Sequence, residues 1–144
     1  MKNTINKYFE VKVKMQKTQE DGTQKKVSEQ YVVEAATFGE AEQRTIENLK
    51  PYIEGEFNVT DIKIAGYAQI VDVDDNADKY FKAKVTFVAM DETTGKEKKT
   101  SELYLVQSET LESAESDVKN YLNDNNTTIS SISETAILDV FSLD

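Results

Sequence analysis

Tyr8-Phe9-Glu10-Val11-Lys12-Val13 returns as Tyr80-Phe81-Lys82-Ala83-Lys84-Val85, seventy-two residues further along the chain. Both stretches open on an aromatic pair and then alternate apolar with polar residues, the period-two mark of a strand with one buried face. The matches continue in order after a one-residue insertion in the turn. Gly22 meets Gly95, Lys25-Lys26 meets Lys98-Lys99, and Ser28-Glu29 meets Ser101-Glu102. Tyr31-Val32-Val33 then meets Tyr104-Leu105-Val106, and Thr37, Ala41 and Glu42 meet Thr110, Ala114 and Glu115. Leu49 pairs with Leu122 and Ile62 with Ile132. Ordered matches of this extent mark a tandem duplication.

Each copy has the same grammar. Phe9, Val11, Val13 and Met15 form the apolar side of a first strand, as do Phe81, Ala83, Val85 and Phe87 in the second copy. Asp21-Gly22 and Thr94-Gly95 supply the glycine that a hairpin turn needs. A second strand is predicted over residues 26–35 and 99–108. Thr37 and Thr110 stand as helix N-caps, with Glu40 at the capping-box position in the first copy only. Helices follow at 38–50 and 111–123, and Pro51 closes the first. A third extended segment, 58–72 and 128–141, completes a ββαβ unit; it is long enough to bend or split, and Gly66 marks a bend. The expected fold is α+β, two ββαβ copies related by a pseudo-two-fold, with antiparallel sheets packed against two helices. The chain is a single globular domain of two repeats, 7–72 and 79–142, because a unit of this size buries too little core alone. The acidic segment 73–78 links them.

Composition removes whole classes of chemistry. The 144 residues include no Cys, His or Trp. Thiol nucleophiles, disulfides, imidazole acid–base work and the usual zinc sites are therefore absent. No apolar stretch approaches the roughly 18 residues of a membrane span, and Met1–Asn6 carries no signal-peptide core, so the cytoplasm is the expected location. The spacing of acids from Asp72 to Asp78 approaches a calcium loop, but Ala77 holds the sixth position and Ala83 the twelfth, where glycine and glutamate belong. A solvated acidic linker fits better. The glycosylation patterns at Asn58 and Asn126 have no secretory context. Acids abound, yet no motif fixes the carboxylate pair that sugar hydrolysis requires. A duplicated scaffold with two similar faces reads as a binding protein without a cofactor or metal, not as an enzyme.

The net charge of −10 hides a segregation. The hairpins, 7–34 and 79–108, are net +1 and +2, whereas 35–78 and 109–144 are each net −7. If Phe9, Val11 and Val13 face the core, then Tyr8, Lys12 and Lys14 share the opposite face. The same alternation joins Tyr80, Lys82 and Lys84, while Lys25-Lys26 and Lys98-Lys99 begin the neighbouring strands. Cations for phosphates beside rings for stacking are what sequence-tolerant single-strand binding requires. The candidate nucleic-acid contacts are Lys12, Lys14, Lys25, Lys26, Lys82, Lys84, Lys98 and Lys99, with Tyr8, Tyr31, Tyr80 and Tyr104 as stacking surfaces. Lysines on exposed strands also protect sheet edges, so solvated faces are the plain alternative. Arg44 is the only arginine, which argues against duplex base readout. A second functional reading is a structural or regulatory interaction module that meets a basic protein partner through acidic helix positions Glu40, Glu47, Glu112 and Asp117.

Several segments carry a family likeness: Tyr8–Val13, Gly55–Lys63, Thr94–Thr100, Tyr104–Gln107 and Ile137-Leu138-Asp139-Val140-Phe141. Across about residues 8–141 the chain resembles short two-repeat proteins of unknown function from Bacteroidetes and their gut (crAss-like) phages. The resemblance implies a phage single-stranded DNA-binding protein encoded near replication genes. It carries over no catalytic residue. Single-strand binders of the Whirly and PUR families are similar in architecture only, and shared architecture does not establish function.

Overall fold

A computed structural model describes residues 6–123 and 126–143. Lys2, whose charge brings the sum of the four segments to −10, lies outside them. The chain divides into two compact units: one runs up to Ala65 and resumes at Ala136, and the other is Gly66–Thr135.

In the first unit, β1 (Lys7–Thr18) and β2 (Gln24–Ala35) form a hairpin, and α1 (Phe38–Leu49) and β3 (Phe57–Ala65) follow. Gly22, at φ +85°, makes the turn, and the Asp21 carboxylate tightens it by accepting from Thr23 N at 3.0 Å. The sheet order is β3-β1-β2-β8, where β8 (Ile137–Phe141) comes from the second copy and pairs parallel with β2. Phe9, Val11, Val13 and Met15 point inward with Tyr31, Val33, Ala41 and Leu49, and all are buried. Fully burying each of the larger side chains contributes about 1.5–3 kcal/mol.

The second unit repeats this plan with β5 (Lys79–Met90), β6 (Glu97–Ser108), α2 (Leu111–Leu122) and β7 (Thr127–Glu134). Its fourth strand is β4 (Tyr67–Val71), from the first copy, so the order is β4-β6-β5-β7. Phe81, Ala83, Val85, Tyr104, Val106, Ala114 and Val118 make the core. The α+β fold with two similar ββαβ halves agrees with the sequence reading. The third segment of each copy does split, at Gly66 and at Thr135-Ala136. What the reading lacked is that the second half of each split segment joins the other copy's sheet.

The caps also differ in detail. Thr37 Oγ1 accepts from Glu40 N at 3.1 Å, but the Glu40 carboxylate reaches back to Ala36 N at 3.4 Å and not to the cap. The reciprocal box forms in the second copy instead. There Ser113 N donates to Thr110 Oγ1 at 3.0 Å and Thr110 N donates to Ser113 Oγ at 3.1 Å. A hydroxyl both donates and accepts over a short reach, so serine closes the box that was expected of glutamate.

Candidate nucleic-acid interface

Strand alternation divides each sheet into a helix-facing side and a far side. On the first sheet, Lys12 lies opposite Gln30 and Asp61, Lys14 opposite Ser28 and Asn58, and Lys26 opposite Gln16. These three lysines are exposed and share the far side. Lys25 does not join them. It lies opposite Lys17 on the helix-facing side, and Lys17 Nζ pairs with Glu29 Oε2 at 3.1 Å. On the second sheet Lys82, Lys84 and Lys99 share the far side, and Lys98 falls on the other, opposite Ala89. A Lys-Lys dipeptide in a strand must split between faces. Each hairpin therefore assembles three of its four candidate lysines.

The tyrosines require a larger correction. Tyr31 and Tyr104 lie on the helix-facing side, buried in the two cores. The Tyr31 hydroxyl donates to Glu29 at 3.4 Å and the Tyr104 hydroxyl donates to Glu102 at 2.8 Å. Tyr31 stacks on Phe141 at 5.4 Å between centroids, and Tyr104 meets the edge of Tyr121 at 6.2 Å. Burial, reinforced by these carboxylates, pushes both phenols up to about 12. Tyr80 is on the lysine side as expected, but only 4% exposed, and Tyr8 is half-buried. Tyr31, Tyr80 and Tyr104 thus offer no ring for a base to stack on. The run Tyr31-Val32-Val33 conceals this, because consecutive apolar residues do not reveal which one faces inward. The register that sets Tyr31 against Val11 does.

The far sides are also not polar throughout. Val32 and Leu105 lie there and are fully buried. On the first sheet Lys12, Lys14 and Lys26 lie hairpin-ward of Val32, whereas on the second Lys82 is directly across from Leu105 and half-buried. Lys14 and Lys26 border an open cleft of ≈ 590 Å³ with Gln16, Gln24, Glu54 and Glu56.

Sequence reasoning missed how differently the two far sides are furnished. On the first sheet Glu10 lies opposite Lys63, Lys12 opposite Asp61, and Glu34 opposite Tyr8. The equivalent positions on the second are Lys82 opposite Ser133, Lys84 opposite Ser131, and Gln107 opposite Tyr80. Thr86 extends that row, its hydroxyl hydrogen-bonded with Ser130 and, at 3.4 Å, with Ser101. The acid that shares this side of the second sheet is Glu97, at the hairpin end opposite Met90. Lys82 reaches across the sheet to hold its ammonium 5.7 Å from the Tyr67 ring centroid, a ring supplied by the exchanged strand β4. Aligning the two copies strand by strand would have found the pattern, since Glu10 aligns with Lys82 and Asp61 with Ser131.

Among the described residues no group of three or more acids is placed to hold a metal ion, and no helix is long and apolar enough to cross a membrane. In the acidic linker, Asp74 accepts from Asn76 N at 3.3 Å.

Fold and site together define a duplicated α+β protein with a lysine row on each sheet. The chain belongs to the family described as Domain of unknown function (DUF4494), which matches residues 7–143. No curated protein and no solved structure matches it.

Proposed function

We propose that this chain is a sequence-tolerant single-stranded DNA-binding protein, serving phage or mobile-element DNA replication or recombination. The observation that carries the reading is the segregation of charge along the chain, with a lysine row on the far side of each sheet. Lysines of both hairpins gather on the sheet sides away from the helices, while residues 35–78 and 109–144 hold 18 of the 27 acids. An acidic remainder repels a polyanion everywhere except along the lysine rows and so confines it there. The resemblance to phage proteins supports the same reading. Lysine as the main cation suits backbone tracking, which needs point charges more than bidentate base contacts.

A salt titration with labelled oligo-dT tests it. Each lysine that neutralises a phosphate contributes about 0.7 to the slope of log affinity against log salt. Replacing Lys12 and Lys84 together by Gln weakens binding and flattens that slope. Absence of binding at about 50 mM salt, where the electrostatic contribution is large, rejects the reading.

A further inference from the structure

The geometry points to the second sheet as the main grip, and to the sugar-phosphate backbone, not the bases, as what it holds. This inference rests on the single-strand reading above and narrows it. Two copies with a common ancestor have diverged at the positions that decide the sign of the field. On the first sheet each of Lys12 and Lys63 faces a carboxylate directly across the ladder, Asp61 and Glu10 respectively. Neither pair closes to an ion pair, but a carboxylate on the facing position lowers the local positive field, so these lysines have less to offer a phosphate. On the second sheet the same two rungs read Lys84–Ser131 and Lys82–Ser133. Nothing acidic lies across from either lysine: the β6 neighbours are Leu105 and Leu103, and the β7 neighbours are hydroxyls, which donate to phosphate and sugar oxygens.

Ser101, Ser131, Ser133, Lys84 and Lys99 are exposed, so the strip is open to a ligand. The rings that would stack on bases are withdrawn. Tyr80 and Tyr104 are buried, and the Tyr67 ring already faces the Lys82 ammonium. A surface with cations and hydroxyls but no free ring recognises the repeating backbone, which is the same for every base.

The test exchanges the pattern between copies and removes the bases. Lys82→Glu with Ser131→Asp rewrites the second sheet as the first and should lower oligo-dT affinity by about tenfold or more, with a flatter salt dependence. Glu10→Lys with Asp61→Ser rewrites the first sheet as the second and should raise affinity or add a second site per chain. An abasic oligonucleotide of equal length should bind within about threefold of oligo-dT, whereas even one stacked base is worth roughly 5- to 150-fold. Circular dichroism confirms that each variant is folded. If oligo-dT binds but the abasic strand is more than about tenfold weaker, the backbone inference is overturned and the single-strand reading stands. Undiminished binding by the Lys82→Glu, Ser131→Asp chain likewise overturns the assignment to the second sheet alone. If wild-type protein binds neither strand, both fall together.

Discussion

The Tyr104 hydroxyl donates to the Glu102 carboxylate at 2.8 Å, two residues back on the same strand and the same face. Tyr31 and Glu29 repeat the relationship in the first copy at 3.4 Å. Burial, reinforced by the carboxylate, keeps each phenol protonated well beyond its ordinary range, to about 12. In the unfolded chain a phenol releases its proton near 10. The folded state therefore holds protons that the unfolded state has lost, and stability is full below pH 10 and drains away as pH rises towards 12. Thermal melts across that window should show a steep fall for the wild type. A chain with Tyr31→Phe and Tyr104→Phe should fall less steeply, and an identical slope would contradict the account.

Thr45 is a polar residue with no exposure, and its hydroxyl donates to Ala41 O at 2.7 Å on the previous turn. The equivalent position in α2 is Val118, which is also fully buried. The second copy thus fills the same cavity with the near-isosteric apolar side chain. Back-bonding of this kind slightly destabilises a helix, so Thr45→Val should raise stability by about 0.5–1 kcal/mol by denaturant unfolding. Val118→Thr should lower it.

Helix α2 ends on Asn123 in the left-handed conformation, φ 43°, with its N–H donating to Lys119 O. A β-branched residue there suffers the left-handed penalty of about 1–2 kcal/mol, so Asn123→Val should destabilise the protein by that amount. Asn123→Gly should be neutral or mildly stabilising. Chemical denaturation of both variants checks the sign.

Strand β8 is held to the first sheet from several directions. Arg44 Nη2 donates to Ser142 O at 3.2 Å, Leu143 N donates to Glu34 Oε1 at 3.0 Å, and Ile137 is buried. A chain ended at Thr135 should lose about 3 kcal/mol, since buried Ile137 contributes about 1.5–3 kcal/mol and partly buried Phe141 adds to it. Adding a peptide of residues 136–143 should restore the melting temperature in a concentration-dependent way. Melting that is unchanged by the truncation would show β8 to be dispensable.

The features legible from the residues are those written in local pattern. The repeat, the hairpin glycines Gly22 and Gly95, and the caps Thr37 and Thr110 all follow from spacing over a few residues. Lys12, Lys14, Lys82 and Lys84 also land on the expected side, because alternation is a short-range rule. The exchange of β4 and β8 was not legible. Residues 58–72 read as extended whichever sheet they join, and the choice between partners is made by pairing across long stretches of chain. The tyrosines failed for a related reason: only the register of β2 against β1 shows that Tyr31, not Gln30, lies beside Val11.

The exchanged strands also set an order of completion during synthesis. The second unit, Gly66–Thr135, is continuous in sequence, and every strand of its sheet has been made once Glu134 is in the chain. The first unit begins earlier but lacks its fourth strand until Phe141 arrives, more than a hundred residues after β2. Closing so long a loop is slow, because its entropy is lost before the new contacts reward it. During translation the part that starts last is therefore finished first, and until then the β2 edge, with Tyr31, Val32 and Val33, waits uncovered for a strand the ribosome has yet to release.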